Sequence, residues 1–401
     1  LQEAVRVSLQ AGNAMNAVLA QCHLAELALI KGQLRRAKEL YEQALSVGVD
    51  DHGRPIPVAG VALTGLGQLL LEWNELDAAQ THLEQGIALT SRWGEAGTIA
   101  GYGMLARVSQ ASGDYERARE LLNKAEQIAR RFDAMVIDDI GVAIRKAELS
   151  LAQDNIQAAL TWAEQRGLKR DPSAVTREIA SVGPSFTKRY LRMAEYIAFS
   201  RLMIALGQKQ LKRSRESFRE AEALLATLLD WAEAEGRGGM VVQILALCAV
   251  ALQEAGDTEQ ALKYLEKALS RAEPEGYVLL FVQEGEPMAA LLRSAASRGT
   301  APAYVRQLRS ELEPRCGVAG SGDSLTQSVP ASQGQSLVDP LSDRELAVLR
   351  FLPSSLSSTE IANQLIISVN TVRSHIRSIY SKLDVHSRYE AIARAQELDL
   401  I

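Results

Sequence analysis

Cysteine is scarce in this 401-residue chain, and its three examples, Cys22, Cys248 and Cys316, stand too far apart for a metal site. They read as reduced thiols of core or linker. Histidine is nearly as rare at five residues, with no H-E-x-x-H pair, and no G-x-x-x-x-G-K-[S/T] loop is present to cradle a phosphate chain. No metal and no cofactor is therefore expected in this chain, and a nucleotide-binding engine would have to lie outside it. Apolar runs of bilayer length are missing, as is a basic, apolar, small-residue leader, so a cytoplasmic protein with no membrane partner is expected. Excess positive charge is absent as well. A net charge of −5 argues against a chain that coats nucleic acid indiscriminately, but not against one that reads a specific site. The one catalytic-looking string, Gly322-Asp323-Ser324-Leu325, has no strand before it and no distal D-x-x-H to supply a base, so no enzyme is expected.

What is there is a composition typical of soluble globular proteins, 47% hydrophobic and 23% charged, over a length that implies two or more domains. The first residues, Leu1-Gln2-Glu3-Ala4-Val5, read as the inside of a helix, which leads us to expect a piece of something longer. Through the first 270 residues a frame recurs: a turn former, an apolar residue two on, alanine three later, then an apolar residue four later. It appears as Gly32-Leu34-Ala37-Tyr41, Asn74-Leu76-Ala79-Leu83, Gly113-Tyr115-Ala118-Leu122, Asp154-Ile156-Ala159-Ala163 and Gly256-Thr258-Ala261-Leu265. Each frame predicts the second helix of a helical hairpin, with alanine allowing close backbone approach. A divergent unit, with a charged helix from Lys209 to Glu235, fills the wide gap before the last frame. The period of about 40 exceeds the roughly 34 of tetratricopeptide repeats, so a TPR-like superhelix is predicted whose concave wall takes an effector or partner.

Tyr41, Tyr115 and Leu265 are expected to be core residues, and Trp73, Trp93, Trp162 and Trp231 half-buried ones that could line a groove. The phrases Tyr277 to Gly285, Pro287 to Leu292 and Tyr304 to Leu308 read as a cap on the open end of the array. From Pro314 to Pro340 glycine, serine, glutamine and proline prevail, which predicts a flexible linker. The expected domains are thus residues 1–313, 314–340 as linker, and 341–401.

The tail, Leu341 to Ile401, starts four helix-like segments with a serine. Ser342, Ser357 and Ser387 each have a glutamate three places on, Glu345, Glu360 and Glu390, which makes three capping boxes; Ser368 supplies the fourth cap. Helices are predicted at about 343–352, 358–365, 369–383 and 388–398. Only Leu365-Ile366-Ile367 separates the second from the third, so the two must cross steeply, as in a helix-turn-helix. Val369, Val372, Ile376, Ile379 and Leu383 form the inner stripe of the third helix; Asn370, Arg373, Ser374, Arg377 and Ser381 fall on the other face. Basic and acidic side chains balance across the tail, yet between Thr371 and Arg388 four basic groups face a single acid, Asp384.

These residues resemble the LuxR-type DNA-binding domain, whose members read L-S/T-x-R-E, E-I-A, S-x-x-T-V-R/K-x-H, K-L-x-V and S/R-R. The matching stretches are Leu341 to Glu345, Glu360-Ile361-Ala362, Ser368 to His375, Lys382 to Val385 and Ser387-Arg388. Asp384 departs from the family's usual glycine, and Leu352-Pro353-Ser354-Ser355 replaces the usual alanine-x-glycine turn, a variant similar to the large MalT-like, ATP-binding regulators of the family. The array is similar to a MalT-like sensor region. The resemblance implies an all-α protein, a TPR-like superhelix followed by a linker and a four-helix reader, that regulates transcription, most often as an activator.

It also implies roles for particular residues. Arg373, Ser374 and Arg377 would meet base edges in the major groove; Asn370, Thr371, His375, Lys382 and Arg388 would hold phosphate or position the helix. Ala391, Ile392, Ala395 and Leu398 would pair the fourth helix with its copy, giving a homodimer on double-stranded DNA, while part of that helix covers the small core. RNA polymerase is a further expected partner, ATP would belong to a module upstream of Leu1, and the effector of the array stays open: a small molecule, a peptide or a protein. The alternative is an interaction scaffold whose terminal domain no longer binds DNA.

Overall fold

A left-handed residue between two helices is the unit from which the array is built. The computed structural model describes residues 1–92, 94–131, 136–183, 185–209, 214–316, 341 and 343–351, and beyond these 361, 364–365, 372, 375–376, 379, 382–383 and 394–395. After α1 (Gln2–Gln10), hairpins pair α2 (Ala14–Ile30) with α3 (Leu34–Val47), α4 (Ala59–Glu72) with α5 (Leu76–Thr90), α6 (Glu95–Ala111) with α7 (Tyr115–Arg131) and α8 (Val136–Ala152) with α9 (Ile156–Gln165). Then come α10 (Pro172–Ser181), α11 (Phe186–Lys209), α12 (Ser214–Ala234) and a last such hairpin, α13 (Gly238–Glu254) with α14 (Thr258–Ala272).

Gly32, Asn74, Gly113, Asp154 and Gly256, the first residues of the five sequence frames, all stand at the hairpin turns with φ between 59° and 86°. Glycine adopts this region freely, and asparagine and aspartate tolerate it best among the rest. The N–H of the following residue returns to the last turn of the first helix, Gln33 to Ala28 and Asp257 to Leu252 at 2.9 Å, which closes a Schellman motif. That same following residue caps the second helix: Asp114, Asn155 and Asp257 accept from the N–H groups of Arg117, Ala158 and Gln260. One residue therefore ends one helix and begins the next. The frame alanines Ala37, Ala79, Ala118, Ala159 and Ala261 are all buried between the paired helices.

The divergent unit is α11 with α12. Its charged helix starts at Ser214, and Lys209 instead closes α11, where its ammonium meets Asp154 at 2.5 Å. Of the expected core residues Tyr41 and Leu265 are buried, but Tyr115 is exposed, because its place beside a hairpin turn puts it at the edge of a cavity. Trp162 is buried, Trp231 is half-buried with the Arg189 guanidinium 5.2 Å from its ring, and Trp93 lies outside the described residues. Cys22 and Cys248 are buried thiols.

The segment expected to cap an open end does something else. It comprises a short 3₁₀ turn (Glu273–Glu275), α15 (Leu279–Val282), α16 (Gly285–Ser297) and α17 (Pro302–Cys316), and it bonds to the beginning of the array. Arg35 donates from its backbone N–H to the Glu275 carboxylate at 3.0 Å and from its side chain to the Pro274 carbonyl at 2.8 Å. The Trp73 indole donates to the Glu275 carbonyl at 2.9 Å, and the Val278 N–H to the Glu72 carbonyl at 2.9 Å. At the same seam Gly32 lies so close to Gly238 and Gly239 that an added Cβ would come within 2.9 Å of their backbone. The first hairpins and the last are thus joined, and one hydrophobic core runs from Val18 to Leu312. Closure happens because the last segment finds unsatisfied polar partners and small residues on the first two hairpins.

The chain divides into two compact units, Leu1–Gly320 and Ser321–Ile401. Pro314 falls in the last turn of α17, not in a linker, since a proline there forfeits only one helical hydrogen bond. The string Gly322 to Leu325 lies outside the described residues. Among the described residues there is no strand, and no helix is long and apolar enough to cross a membrane.

Candidate nucleic-acid interface and a charged lumen

In the second unit α18 (Asp343–Leu349) packs Val348 and Leu349 against Ile361, Val372, Ile379, Leu383 and Ala395, with Leu346, Leu365 and Ile376 partly buried around them. The helix stops at Leu349, before the expected 352, and Arg350 and Phe351 form a turn. Val372, Ile379 and Leu383 are the inner stripe read from the sequence, and they are buried; Ile376 is half-buried. Val369 lies outside the described residues.

Two expected contact residues are described. His375 is half-buried. Lys382 donates to the Glu345 carboxylate at 2.9 Å, with side-chain exposures of 20% and 7%, and so ties its own segment to α18. This gives Lys382 a positioning function inside the domain. Ala395 is fully buried in the domain's own core, which leaves it no surface for a partner chain; pairing through this helix would rest on Ala391, Ile392 and Leu398. Those three, with Asn370, Thr371, Arg373, Ser374, Arg377 and Arg388, lie outside the described residues.

The first unit holds a feature that the sequence reading missed. The closed array encloses a cavity of about 910 Å³, walled largely by the first helices of the hairpins. Into it come charged residues from otherwise apolar stretches: Glu72 of α4, Arg107 of α6, Arg145 and Glu148 of α8 and Arg201 of α11, with Glu284 from the turn before α16. Arg107 pairs with Glu72 at 3.0 Å, and Arg201 with Glu148 at 3.1 Å and Glu284 at 2.8 Å. Burial acts to lower the Arg201 pKa, but the two carboxylates outweigh it and hold it above the ordinary value. Arg145 differs. Among the described residues its guanidinium donates only to the Met104 thioether at 3.8 Å, and burial, reinforced by the like charge of Arg107 and only partly offset by Glu148 and Glu72, pushes its pKa down to about 10. Beside it Tyr190 is pushed up by burial, against the pull of Arg145 and Arg107. The signal for these groups was present, charged residues following an apolar run as in Val142-Ala143-Ile144-Arg145, but nothing local said which way they faced.

The repeat array with its charged cavity, and the small unit with an apolar core of its own, belong by their family matches to a class: DNA-binding transcriptional regulators with a helical-repeat sensing region. Comparison with known proteins agrees at both ends. Residues 1–298 match the family model of the MalT-like TPR region, and residues 339–395 match that of the bacterial regulatory proteins, luxR family. The chain belongs to the MalT-like TPR family, with a luxR-family domain at its tail. A curated relative, the HTH-type transcriptional regulator MalT of Cronobacter sakazakii (strain ATCC BAA-894), is 25% identical over 384 residues, which is 93% of this chain and 40% of the relative. The chain thus spans less than half the length of that relative.

Proposed function

We propose that this chain is the sensing and output portion of a cytoplasmic transcriptional activator, in which the array takes up an effector and the tail reads double-stranded DNA. Arg373, Ser374 and Arg377 meet base edges, while Asn370, Thr371, His375 and Arg388 engage phosphate or hold the helix. Lys382 secures that helix to α18 through Glu345. Two copies bind a two-fold operator, paired through Ala391, Ile392 and Leu398, and the bound dimer contacts RNA polymerase.

One observation carries the reading. Val372, Ile379 and Leu383 are buried together, in a stretch matched to the luxR family, and helical spacing then sets Arg373, Ser374 and Arg377 away from that stripe. The test is selection of bound sequences from randomised duplexes by the full chain. We expect a site with two-fold symmetry, and we expect Arg377→Ala to relax the choice of base at one position of each half-site, by about 1–3 kcal/mol of lost discrimination. Recovery of no preferred sequence would leave the array as an interaction scaffold and overturn the proposal.

A further inference from the structure

The lumen of the array carries charged groups among a largely apolar lining, and its charges are unequally served. Glu72 is engaged by Arg107, and Glu148 and Glu284 are both engaged by Arg201. The total charge of this cluster is neutral, but its distribution is not, since one arginine takes two carboxylates and another takes none. Arg145 faces the same cavity with no carboxylate within 4.0 Å among the described residues. Glu148 and Glu72 act on Arg145 from farther off and partly offset its burial, but each is paired with another arginine, Glu148 with Arg201 and Glu72 with Arg107. Gly103 completes the local shape: a Cβ there would lie 3.3 Å from the Arg145 Nε, so a larger residue would crowd the guanidinium.

A guanidinium carries five N–H donors in a rigid fork that matches a carboxylate or a phosphate, and a thioether sulfur is a weak acceptor for it. Arg145 is half-buried, and a guanidinium that faces a cavity with only a thioether to accept from it among the described residues has N–H donors to offer an acceptor that comes from outside. The cavity volume, about 910 Å³, suits a small molecule and is too little for a folded partner. Resting on the sensing role proposed above, we propose that the effector of this array is a small oxyanion, a metabolite bearing a carboxylate or a phosphate, and that Arg145 binds its charged group inside the lumen. Arg107 and Arg201 then hold the wall in shape through their own carboxylates.

The experiment uses the full chain, its Arg145→Met and Arg145→Lys variants, and three probes: inorganic phosphate, succinate and the neutral succinamide, each against chloride at equal ionic strength. Thermal unfolding and calorimetric titration are read. We expect phosphate or succinate to raise the unfolding temperature of the unaltered chain and succinamide not to, with affinity falling about tenfold or more in Arg145→Met and partly kept in Arg145→Lys. Without probe, Arg145→Met should unfold at the same or a higher temperature, because it replaces a half-buried charge that has no ion pair among the described residues with an apolar side chain. Equal responses of the unaltered chain and Arg145→Met to all three probes overturn the proposal, and so does a marked loss of stability in Arg145→Met without probe, which would make Arg145 a structural partner. Duplex binding by Arg145→Met, measured without probe, keeps the readings separate. Loss of DNA binding by the unaltered chain would refute the regulator and leave the oxyanion site standing.

Discussion

Lys382 and Glu345, 37 residues apart, meet at 2.9 Å in the smaller unit, with the carboxylate buried and the ammonium mostly so. Opposite charges in so covered a place hold two segments in one register, and removing either takes this bond from the other. Lys382→Ala or Glu345→Gln should lower the stability of the second unit by about 1–3 kcal/mol, less than a wholly buried pair because the lysine keeps some water. Unfolding followed by hydrogen exchange in residues 341–401 measures this. Weaker DNA binding by Lys382→Ala with unchanged protection of that unit would instead make the lysine a phosphate contact.

Two helical glycines should respond to the same substitution with opposite signs. Alanine is favoured over glycine inside a helix by about 1 kcal/mol, and Gly141 has nothing within 4 Å of an added Cβ, so Gly141→Ala should stabilise the array. At Gly65 the added carbon would meet the buried Tyr41 ring at 2.2 Å. There overpacking of about 1–3 kcal/mol outweighs the propensity gain, and Gly65→Ala should destabilise. Denaturant unfolding of the two variants gives the signs directly, and a stabilising Gly65→Ala would refute the Tyr41 contact.

Closure of the array can be tested in the same way at two turn glycines. Gly32 and Gly113 share a left-handed φ near 80°, so alanine strains both by about 1 kcal/mol. Only at Gly32 does the new carbon also press on the backbone of Gly238 and Gly239. Gly32→Ala should therefore cost more than Gly113→Ala and loosen exchange protection at the start of α13. Equal losses would mean that the seam between first and last hairpins does not bear on stability.

Acid should weaken the array through Glu235. Burial raises the pKa of this carboxylate, but its bonds to Arg189 and to the fully buried Arg237 outweigh that and hold it below the ordinary value. A folded-state pKa below the unfolded one stabilises above the unfolded value, near 4.5, and the contribution fades as pH falls through the lowered one. Glu235→Gln should be less stable than the unaltered chain at pH 7, by about 1–3 kcal/mol, and the difference should narrow below pH 4. A gap that stays constant from pH 7 to pH 3 would contradict the assignment.

The hairpins were legible in the sequence because their turns demand left-handed residues and their crossings demand alanine, both of which are local requirements written at fixed spacing. The core stripe of Val372, Ile379 and Leu383 was legible for the same reason. Closure was not, since Arg35 and Trp73 find Glu275 across more than 200 residues and no periodicity encodes such a meeting. The lumen escaped notice because an arginine such as Arg145 inside an apolar helix looks the same whether it faces solvent or a cavity. Tyr115 was misjudged because its place beside the hairpin turn is only partly covered in most units: Leu34 is buried there, but Leu76, Ile156 and Thr258 are half-buried.

The central claim is that the tail reads DNA, and binding of the full chain to its selected duplex across a salt series tests it most directly. Neutralising phosphates, by Arg388 and by the other basic groups of the tail, must release counterions, so log affinity should fall steeply and linearly with log salt, with a slope of about −0.9 for each phosphate neutralised, and Arg388→Ala should reduce that slope by about one such contact. Binding that is absent, or that does not change between about 50 and 200 mM salt, would contradict the account.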